Sequence, residues 1–238
     1  MTPGIAVALA AELRTLTRCP VAPGECARLP GGALVALGGP GSERARAAAG
    51  RLLAGGATAL VSWGVAAGLD PSLRPGSLLL PERVIGADGT SYRVTTAWHA
   101  ALHTQMGLHT PPHVGPLVEV RDVLERPSEK GALFERSGAI AADMESAALA
   151  CVAVERHVPF LVVRAVADPA GGRVPGWAVR LVGVTGRVRA AQALALALAH
   201  PGDWGALIAL ARAFWAARRT LSRVGPVLWS TRPGKIAG

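Results

Sequence analysis

The sequence predicts an α/β fold in which a central sheet is covered by helices on both faces. Short apolar segments typical of strands alternate with segments typical of helices along residues 1–200. The segment Phe160–Ala167 is mostly apolar and β-branched, which is typical of a strand buried on both faces. A chain of 238 residues that is 50% hydrophobic can bury a large core. A folded domain is therefore expected, and intrinsic disorder is excluded.

The predicted strands and helices follow one another in sequence order. Gly38–Gly41 ends the second strand, and Ser42 after it can cap a helix. Asp88-Gly89 is typical of a hairpin turn, and the small residues of Trp63–Gly68 predict a loop. The predicted strands are Gly4–Ala10, Ala33–Leu37, Ala57–Ser62, Leu78–Pro81 with Val84 and Ile85, Leu117–Val123 and Phe160–Ala167. The predicted helices are Glu43–Ala54, Thr96–Met106, Ser128–Arg136, a segment through Ala147–Cys151, and Arg187–Ala199.

Composition and charge narrow the class of protein. The formal charge is +9, from 25 basic and 16 acidic residues, and a basic protein can bind nucleic acid or an anionic membrane. The aromatic residues are not interleaved with the basic ones as in nucleic-acid motifs, so no nucleic-acid partner is predicted. Cys19, Cys26 and Cys151 match no metal-binding spacing and indicate free thiols in a reducing compartment. Since Met1–Arg14 lacks the basic start of a signal peptide and no apolar stretch is long enough to span a bilayer, a cytoplasmic protein is expected.

The C-terminal segment, residues 201–238, differs in character from the α/β domain predicted for residues 1–200. Asp203 can cap an amphipathic helix, and the Trp204 end of that helix is expected to pack on the body of the protein. Further along, Val224–Trp229 resembles the basic tail of an interfacial helix. The basic residues near this segment are Arg223, Arg232 and Lys235. Packing in the core and peripheral contact with the inner face of the membrane both remain open for the tail.

Three carboxylates at the ends of predicted elements point to one site. Glu12 follows the first strand, Glu145 precedes the helix through Ala147, and Asp168 stands at the exit of the strand that begins at Phe160. In open α/β sheets, ligands bind beyond the carboxyl ends of the strands. A lone aspartate in the position of Asp168 would more often cap a turn. The two other acids favour a shared cavity instead.

Other motifs argue against competing classes of protein. The turn Gly39-Pro-Gly-Ser-Glu-Arg44 has arginine where a dinucleotide fingerprint needs glycine, and it lacks the Lys-Ser/Thr of a P-loop. Val65 stands where a nucleophile elbow would carry serine. His99 and His103 can share a helix face, but no acidic residue stands beside them, so no metal site is predicted. They belong to the segment Trp98–Val114, which is a candidate lid.

Several motifs together resemble the purine nucleoside phosphorylase and nucleosidase superfamily. The resemblance covers roughly Met1–Leu198, and the chain is most similar to the hopanoid-associated phosphorylase branch, which acts on adenosylhopane and releases adenine. It implies a three-layer fold with a central mixed sheet, and a homo-oligomer. The motifs are Gly4-Ile-Ala-Val-Ala-Leu-Ala-Ala-Glu12, Gly39-Pro-Gly41, Trp63-Gly-Val-Ala-Ala-Gly-Leu69, Asp143-Met-Glu-Ser146 and Arg164-Ala-Val-Ala-Asp168.

The resemblance implies a role for each of the three carboxylates. Asp168 matches the acid that protonates or hydrogen-bonds purine N7, and Glu12 matches the base that activates water in nucleosidases. Glu145 matches the residue that accepts hydrogen bonds from the ribose hydroxyls, with Met144 packing on the sugar. No cofactor is implied, although phosphate is a possible co-substrate. The further substrate-binding residues are Val123, Leu124, Gly64 and Val65.

Two departures from the family pattern bear on the nucleophile. Ala167 stands where many relatives have serine before the acid, and Val65 stands where a hydroxyl holds phosphate or water. The candidates for a phosphate or water loop are Gly39, Gly41 and Arg44. Retention of Glu12 without that hydroxyl favours water as the nucleophile. The open alternatives are phosphorolysis of the same bond, cleavage of 5′-methylthioadenosine or S-adenosylhomocysteine, and a lipid-associated binding protein without activity.

Overall fold

A computed structural model of the protein describes residues 1–107, 111–179, 195–196 and 198–230. The strands are β1 (Pro3–Val7), β2 (Cys26–Arg28), β3 (Leu34–Leu37), β4 (Ala59–Gly68), β5 (Leu78–Leu79), β6 (Arg83–Ile85), β7 (Ser91–Arg93), β8 (Pro116–Glu119), β9 (Ala141–Asp143) and β10 (Phe160–Asp168). The helices are α1 (Ala10–Leu13), α2 (Ser42–Ala54), α3 (Thr96–Gly107), α4 (Pro127–Ser137), α5 (Ser146–Glu155), α6 (Gly176–Val179) and α7 (Trp204–Ser230). The predicted helix 187–199 falls mainly outside the described residues, as do Arg232 and Lys235.

All ten of these strands belong to one mixed sheet flanked by helices, which confirms the predicted fold class. The strand order is β2-β3-β1-β4-β9-β8-β6-β7, and β10 pairs with both β4 and β5. The neighbours β3, β1, β4 and β10 run parallel to one another. Their carboxyl ends therefore meet at one edge of the sheet. The antiparallel pair Ala67–Ala142 joins β9 to the end of β4 and brings Asp143 to the same edge.

The core lies between the sheet and the helices that cover it. Every residue of β10 is buried, as its apolar sequence predicts. Helices α2 and α5 pack against each other and against the sheet, whereas α7 packs mainly against β10. The buried residues of α7 recur at helical spacing, so they form one apolar stripe. They are Ala213, Ala217, Leu221, Val224 and Leu228.

The structure corrects two of the predicted elements. Trp63–Gly68 is the second half of β4 and not a loop, because its residues pair with β10 in a register that includes Trp63–Val163 and Val65–Ala165. Small residues carry little local preference, so this pairing decides their conformation. The strand predicted at Leu117–Val123 ends earlier, at Glu119.

The Trp204 end of α7 is exposed where packing was predicted, and the described part of the tail packs in the core, which is one of the two open alternatives. Trp204, Ile208 and Trp215 are about half exposed or more, with exposed fractions of 48%, 52% and 61%. The later residues Leu221 and Leu228 are fully buried in the core. The N-terminal half of this helix therefore carries its exposed apolar surface, and the C-terminal half packs on the sheet. No helix in the described parts of the chain combines the length and apolar character needed to cross a bilayer.

Candidate active site

A cavity of about 430 Å³ opens where β4, β9 and β10 end. Glu12, Glu145 and Asp168 all line it, and Asp143 is a fourth carboxylate in its wall. The three acids that the sequence singled out therefore surround a single space. No lysine or arginine contributes to the wall among the residues that the structure describes. The cavity is consequently acidic where it is polar.

A β-bulge places Asp168 in the cavity wall. The pairing of β10 with β4 shifts its register between Val166 and Asp168, so Ala167 is an extra residue in the strand. In a regular strand, neighbouring side chains point to opposite faces of the sheet. Here Ala167 and Asp168 both line the cavity. The bulge thus aims the terminal carboxylate of a buried strand at the site.

Asp168 forms an ion pair with a buried lysine that sequence reasoning missed. Lys130 lies on α4 with none of its surface exposed, and its Nζ lies 2.6 Å from Asp168 Oδ1. The same Nζ donates to the carbonyl oxygens of Pro169 at 3.0 Å and Gly172 at 2.8 Å. These three acceptors use all three N–H bonds of an ammonium. Burial raises the pKa of Asp168, and Lys130 opposes that rise.

One sequence feature sets Lys130 apart. The chain uses arginine for nearly all of its basic residues, and its only lysines are Lys130 and Lys235. Scarcity of a residue type does not reveal a contact, however. Lys130 and Asp168 are 38 residues apart, and the packing of α4 brings them together.

Glu12 is held by backbone N–H groups from two elements. Its Oε2 accepts hydrogen bonds from Ala8 N at 3.0 Å and Leu9 N at 2.8 Å, and its Oε1 accepts one from Val65 N at 2.8 Å. The residue is 2% exposed. Burial raises the pKa of Glu12, while the positive charge of Arg164 and these hydrogen bonds lower it. The carboxylate is therefore fixed in orientation at the cavity wall.

Gly64 lies between Glu12 and Arg164. The sequence predicted it as a substrate-binding residue, but it is not part of the cavity wall. A Cβ atom at position 64 would lie 2.4 Å from Glu12 Oε1 and 2.3 Å from Arg164 Nη1. Only a residue without a side chain fits between these two charged groups. Glu12 lies between Gly64 and the cavity, whereas the neighbouring Val65 lines the cavity.

Arg164 binds the acids behind the cavity. It is almost fully buried, and its Nε donates to Asp143 Oδ2 at 2.8 Å, while its Nη2 donates to Ser62 Oγ at 2.7 Å. The Ser146 hydroxyl donates to the same Asp143 oxygen. Nη2 also lies 3.6 Å from Glu145 Oε2. The guanidinium thus compensates a buried cluster of carboxylates, and its hydrogen bonds are directed to that cluster.

Glu145 connects this cluster to the glycine turn after β3. Its Oε1 accepts a hydrogen bond from Gly41 N at 3.0 Å. Burial and the neighbouring charge of Asp143 raise the pKa of Glu145 to about 7, and Arg164 opposes the rise. Met144, next to it in the chain, also lines the cavity. Near neutral pH, Glu145 is therefore close to the midpoint of its titration.

Two of the residues predicted to form a phosphate or water loop make hydrogen bonds within the protein instead. The Gly41 N–H is already bonded to Glu145. Arg44 is exposed, its Nη1 donates to Pro40 O at 3.1 Å, and it lies outside the cavity wall. Gly39 lines a separate internal space of about 10 Å³, enough for one water molecule. In this structure the turn orients Glu145 through the Gly41 N–H.

Apolar side chains complete the cavity. Val123 and Leu124 line it as the sequence analysis expected. The loop after β10 and helices α6 and α7 add a wall that the sequence did not indicate, because nothing local in those segments shows which partner they pack against. The added residues are Val174, Ala178, Leu210 and Phe214. His99 lies elsewhere and bonds to Leu80 O, and the described residues contain no cluster of three or more side chains able to hold a metal ion.

Comparisons with solved structures give the same fold. The chain is similar to the 5′-methylthioadenosine/S-adenosylhomocysteine nucleosidase of Neisseria meningitidis, with a TM-score of 0.72, 17% identity, and coverage of 96% of this chain and 99% of that one. The corresponding nucleosidase of Helicobacter pylori gives a TM-score of 0.71, 17% identity, and coverage of 95% and 97%. The futalosine hydrolase of Helicobacter pylori gives a TM-score of 0.71, 16% identity, and coverage of 95% and 96%. Identity at this level shows a shared fold and not a shared substrate.

Comparison with curated protein sequences gave no significant match. The family model of the phosphorylase superfamily matches residues 28–199, which is more than half of the chain. This segment contains β4, β9 and β10, whose ends carry Glu145 and Asp168, and it excludes Glu12. The protein therefore belongs to the phosphorylase superfamily.

Proposed function

We propose that the protein is a nucleosidase that hydrolyses the N-glycosidic bond of a 5′-substituted adenosine and releases adenine. The observation that carries the proposal is the convergence of Glu12, Glu145 and Asp168 on one cavity of about 430 Å³. Cleavage of this bond leaves positive charge on the sugar and negative charge on the purine, so it needs a carboxylate on one side and an acid on the other. The cavity contains carboxyl groups in the number and the burial that this chemistry requires.

Each carboxyl group has a distinct task in the proposed reaction. Asp168 gives a proton to purine N7 as the electron pair of the glycosidic bond moves onto the base. Glu145 accepts hydrogen bonds from the ribose hydroxyls. Glu12, held by three backbone N–H groups, removes a proton from the water that attacks C1′. The product sugar carries a hydroxyl at C1′, the proton on Glu12 returns to solvent, and the Asp168 carboxylate takes up a proton from solvent.

Charge favours water over phosphate as the nucleophile. A phosphate ion needs converging cationic and N–H donors. The described cavity wall contains four carboxylates and no lysine or arginine. Arg164 is engaged by Asp143, and the Gly41 N–H by Glu145. The negative charge of this cavity would therefore repel a phosphate anion. It would not repel a neutral water molecule.

The apolar wall supports a hydrophobic 5′ substituent. Leu210 and Phe214 of α7 line the cavity together with Val174 and Ala178. Such a wall gains free energy from burying apolar surface and offers no partner to a charged group. Adenosylhopane, to which the sequence resemblance points, carries a substituent of this kind. 5′-Methylthioadenosine, named for the similar structures of Helicobacter pylori and Neisseria meningitidis, is the smaller alternative.

Adenine release tests the proposal directly. Purified protein is incubated with adenosylhopane or 5′-methylthioadenosine, with and without phosphate, and free adenine is measured by chromatography. We expect release that does not depend on phosphate, and none from an Asp168→Asn variant. Release that requires phosphate would establish phosphorolysis. Purine binding without release from folded protein would favour a lipid-associated binding protein on the same fold.

We further propose peripheral contact with anionic membrane through α7. The exposed Trp204, Ile208 and Trp215 lie on the side of the helix opposite its buried stripe, and the helix has four arginines and no acidic residue. Vesicle sedimentation tests this proposal, because binding should require anionic lipid and weaken in a Trp215→Ser variant. If the same variant instead converts an oligomer into a monomer, the surface is an interface between copies of the chain. In this proposal the protein is cytoplasmic and contacts the inner face of the membrane peripherally.

A further inference from the structure

The Lys130–Asp168 pair is unusual because it lies inside the proposed catalytic machinery. The lysine is completely buried, while the aspartate is 9% exposed and faces the cavity. A buried ammonium without a partner is costly, so a lysine retained at this position must be compensated locally. Its Nζ finds one charged acceptor, Asp168 Oδ1 at 2.6 Å, and two carbonyl acceptors.

The pair leaves one carboxylate oxygen of Asp168 for the substrate. Lys130 engages Oδ1, and no hydrogen bond within the described structure involves Oδ2. A Cβ atom at Gly172 would lie 2.5 Å from Oδ1, so the loop after β10 also packs closely against that oxygen. Oδ1 is therefore enclosed by α4 and by this loop. The orientation of the carboxyl group follows from that enclosure.

The other charged groups near Asp168 are already paired with one another. Glu12, Asp143 and Glu145 share the cavity wall, and all three interact with Arg164. Arg173, on the loop after β10, pairs with Asp203 at 3.1 Å. Glu125 lies close to Gly176. Lys130 is thus the cation that acts directly on Asp168 within the described part of the chain.

We propose that Lys130 is a positioning residue for the acid: it holds Oδ1 so that Oδ2 faces the purine, and it stabilises the negative charge left on Asp168 after proton transfer. The inference rests on the proposed function, in which Asp168 is the acid. In the step, the glycosidic bond breaks and its electron pair moves to the purine. The proton leaves Oδ2 for N7, and the resulting carboxylate remains beside the Lys130 ammonium. The ammonium keeps all of its protons, so it gains and loses nothing.

This role differs from a purely structural one in its effect on titration. A nearby positive charge favours the ionised carboxylate and so lowers its pKa. Without Lys130, Asp168 should titrate at a higher pH and be a weaker proton donor. A lysine that acted only through the carbonyl oxygens of Pro169 and Gly172 would change the stability of the loop and leave this titration in place.

The decisive measurement is the titration of Asp168 itself, which does not require turnover. Protein labelled with ¹³Cγ-aspartate is titrated by NMR, with Asp168→Asn to assign the signal. We expect the Asp168 midpoint to move to higher pH in Lys130→Met and in Lys130→Gln, because the positive charge that lowers its pKa is removed. An unchanged midpoint in either folded variant would overturn the inference.

A kinetic measurement complements the titration. With 5′-methylthioadenosine as substrate, the alkaline limb of kcat/KM should move to higher pH in Lys130→Gln, and the maximum should fall by roughly ten- to a hundred-fold, as expected for a weakened general acid. Leu133→Ala is the matched control, because Leu133 is buried on the same helix in an apolar cluster with Leu69 and Val118. It should lower stability and leave the alkaline limb in place. If wild-type protein releases no adenine, the proposed function fails, and the NMR titration still decides the role of Lys130.

Discussion

The backbone N–H of Gly41 donates a hydrogen bond of 3.0 Å to the carboxylate of Glu145, 104 residues further along the chain. This bond joins the turn after β3 to the segment before α5. It gives the glycine turn a task that its sequence does not reveal, which is to orient an acid. Because burial and Asp143 raise the pKa of Glu145 to about 7, the bond also connects the turn to the pH response of the site.

Nucleoside binding should strengthen as pH rises through 7. The raised pKa means that Glu145 is mostly protonated at pH 6 and mostly ionised at pH 8. The ionised carboxylate offers both oxygens as acceptors to the ribose hydroxyls, whereas the protonated acid turns one oxygen into a donor and accepts more weakly. The competent fraction, and with it the affinity for a non-hydrolysable adenosine analogue, should rise about tenfold over this interval. Calorimetric titration at a series of pH values measures the effect.

Glu145→Gln and Glu43→Gln serve as the paired variants for that experiment. Replacement of Glu145 should weaken binding and abolish its dependence on pH near 7. Glu43 is exposed on α2 and outside the cavity, so its replacement should change neither. A pH dependence that survives in Glu145→Gln would assign the titration to another group.

Gly64→Ala should inactivate and destabilise the protein. The new methyl group would overlap both Glu12 Oε1 and Arg164 Nη1, so at least one of these charged side chains must move. Overpacking of this kind costs about 1–3 kcal/mol. Thermal unfolding and adenine release measure the two effects. Gly50→Ala in α2, where the added atom meets nothing within 4 Å, should instead be neutral or stabilising by up to about 1 kcal/mol.

Asp168→Asn should lose stability as well as turnover. At a pH where Asp168 is ionised, the substitution leaves the buried ammonium of Lys130 without its negative partner, and breaking a buried pair on one side costs about 3–5 kcal/mol. Denaturant unfolding should show that the double variant Asp168→Asn/Lys130→Met loses less stability than the sum of the two single losses. Additive losses would show that the two side chains do not interact energetically.

Phe214→Ala should weaken the recognition of large apolar 5′ substituents selectively. Phe214 reaches the cavity from α7, and removal of its ring takes away apolar contact surface. The ratio of kcat/KM for a long-chain 5′-alkylthioadenosine to that for adenosine should fall about tenfold or more. Trp215→Ala, at the exposed neighbouring position, should leave the ratio unchanged. An equal loss for both nucleosides in Phe214→Ala would place the ring elsewhere than at the 5′ substituent.

Local sequence patterns were sufficient for the strands and helices with strong apolar character. The β-branched run at Phe160 became the fully buried strand β10, and the segment after Ser42 became α2. Prediction was wrong at Trp63–Gly68, where small residues give a weak local signal and pairing with β10 imposes a strand. It was also wrong about the start of α7, since Trp204 is exposed, and it left open the packing of the end of this helix, where Leu228 is buried. The periodicity of an amphipathic helix indicates its apolar face, but not which part of its length packs against the core.

The sequence by itself determined that this chain is an α/β protein and that Glu12, Glu145 and Asp168 stand at the ends of its elements. It could do so because apolar periodicity and the position of an acid after a strand are local properties. Only the tertiary structure decided that Lys130 pairs with Asp168, that Gly41 binds Glu145, and that α7 forms a wall of the cavity. These contacts join residues that lie tens of positions apart in the chain, and their partners are set by the packing of whole elements around the sheet and not by any neighbouring residue.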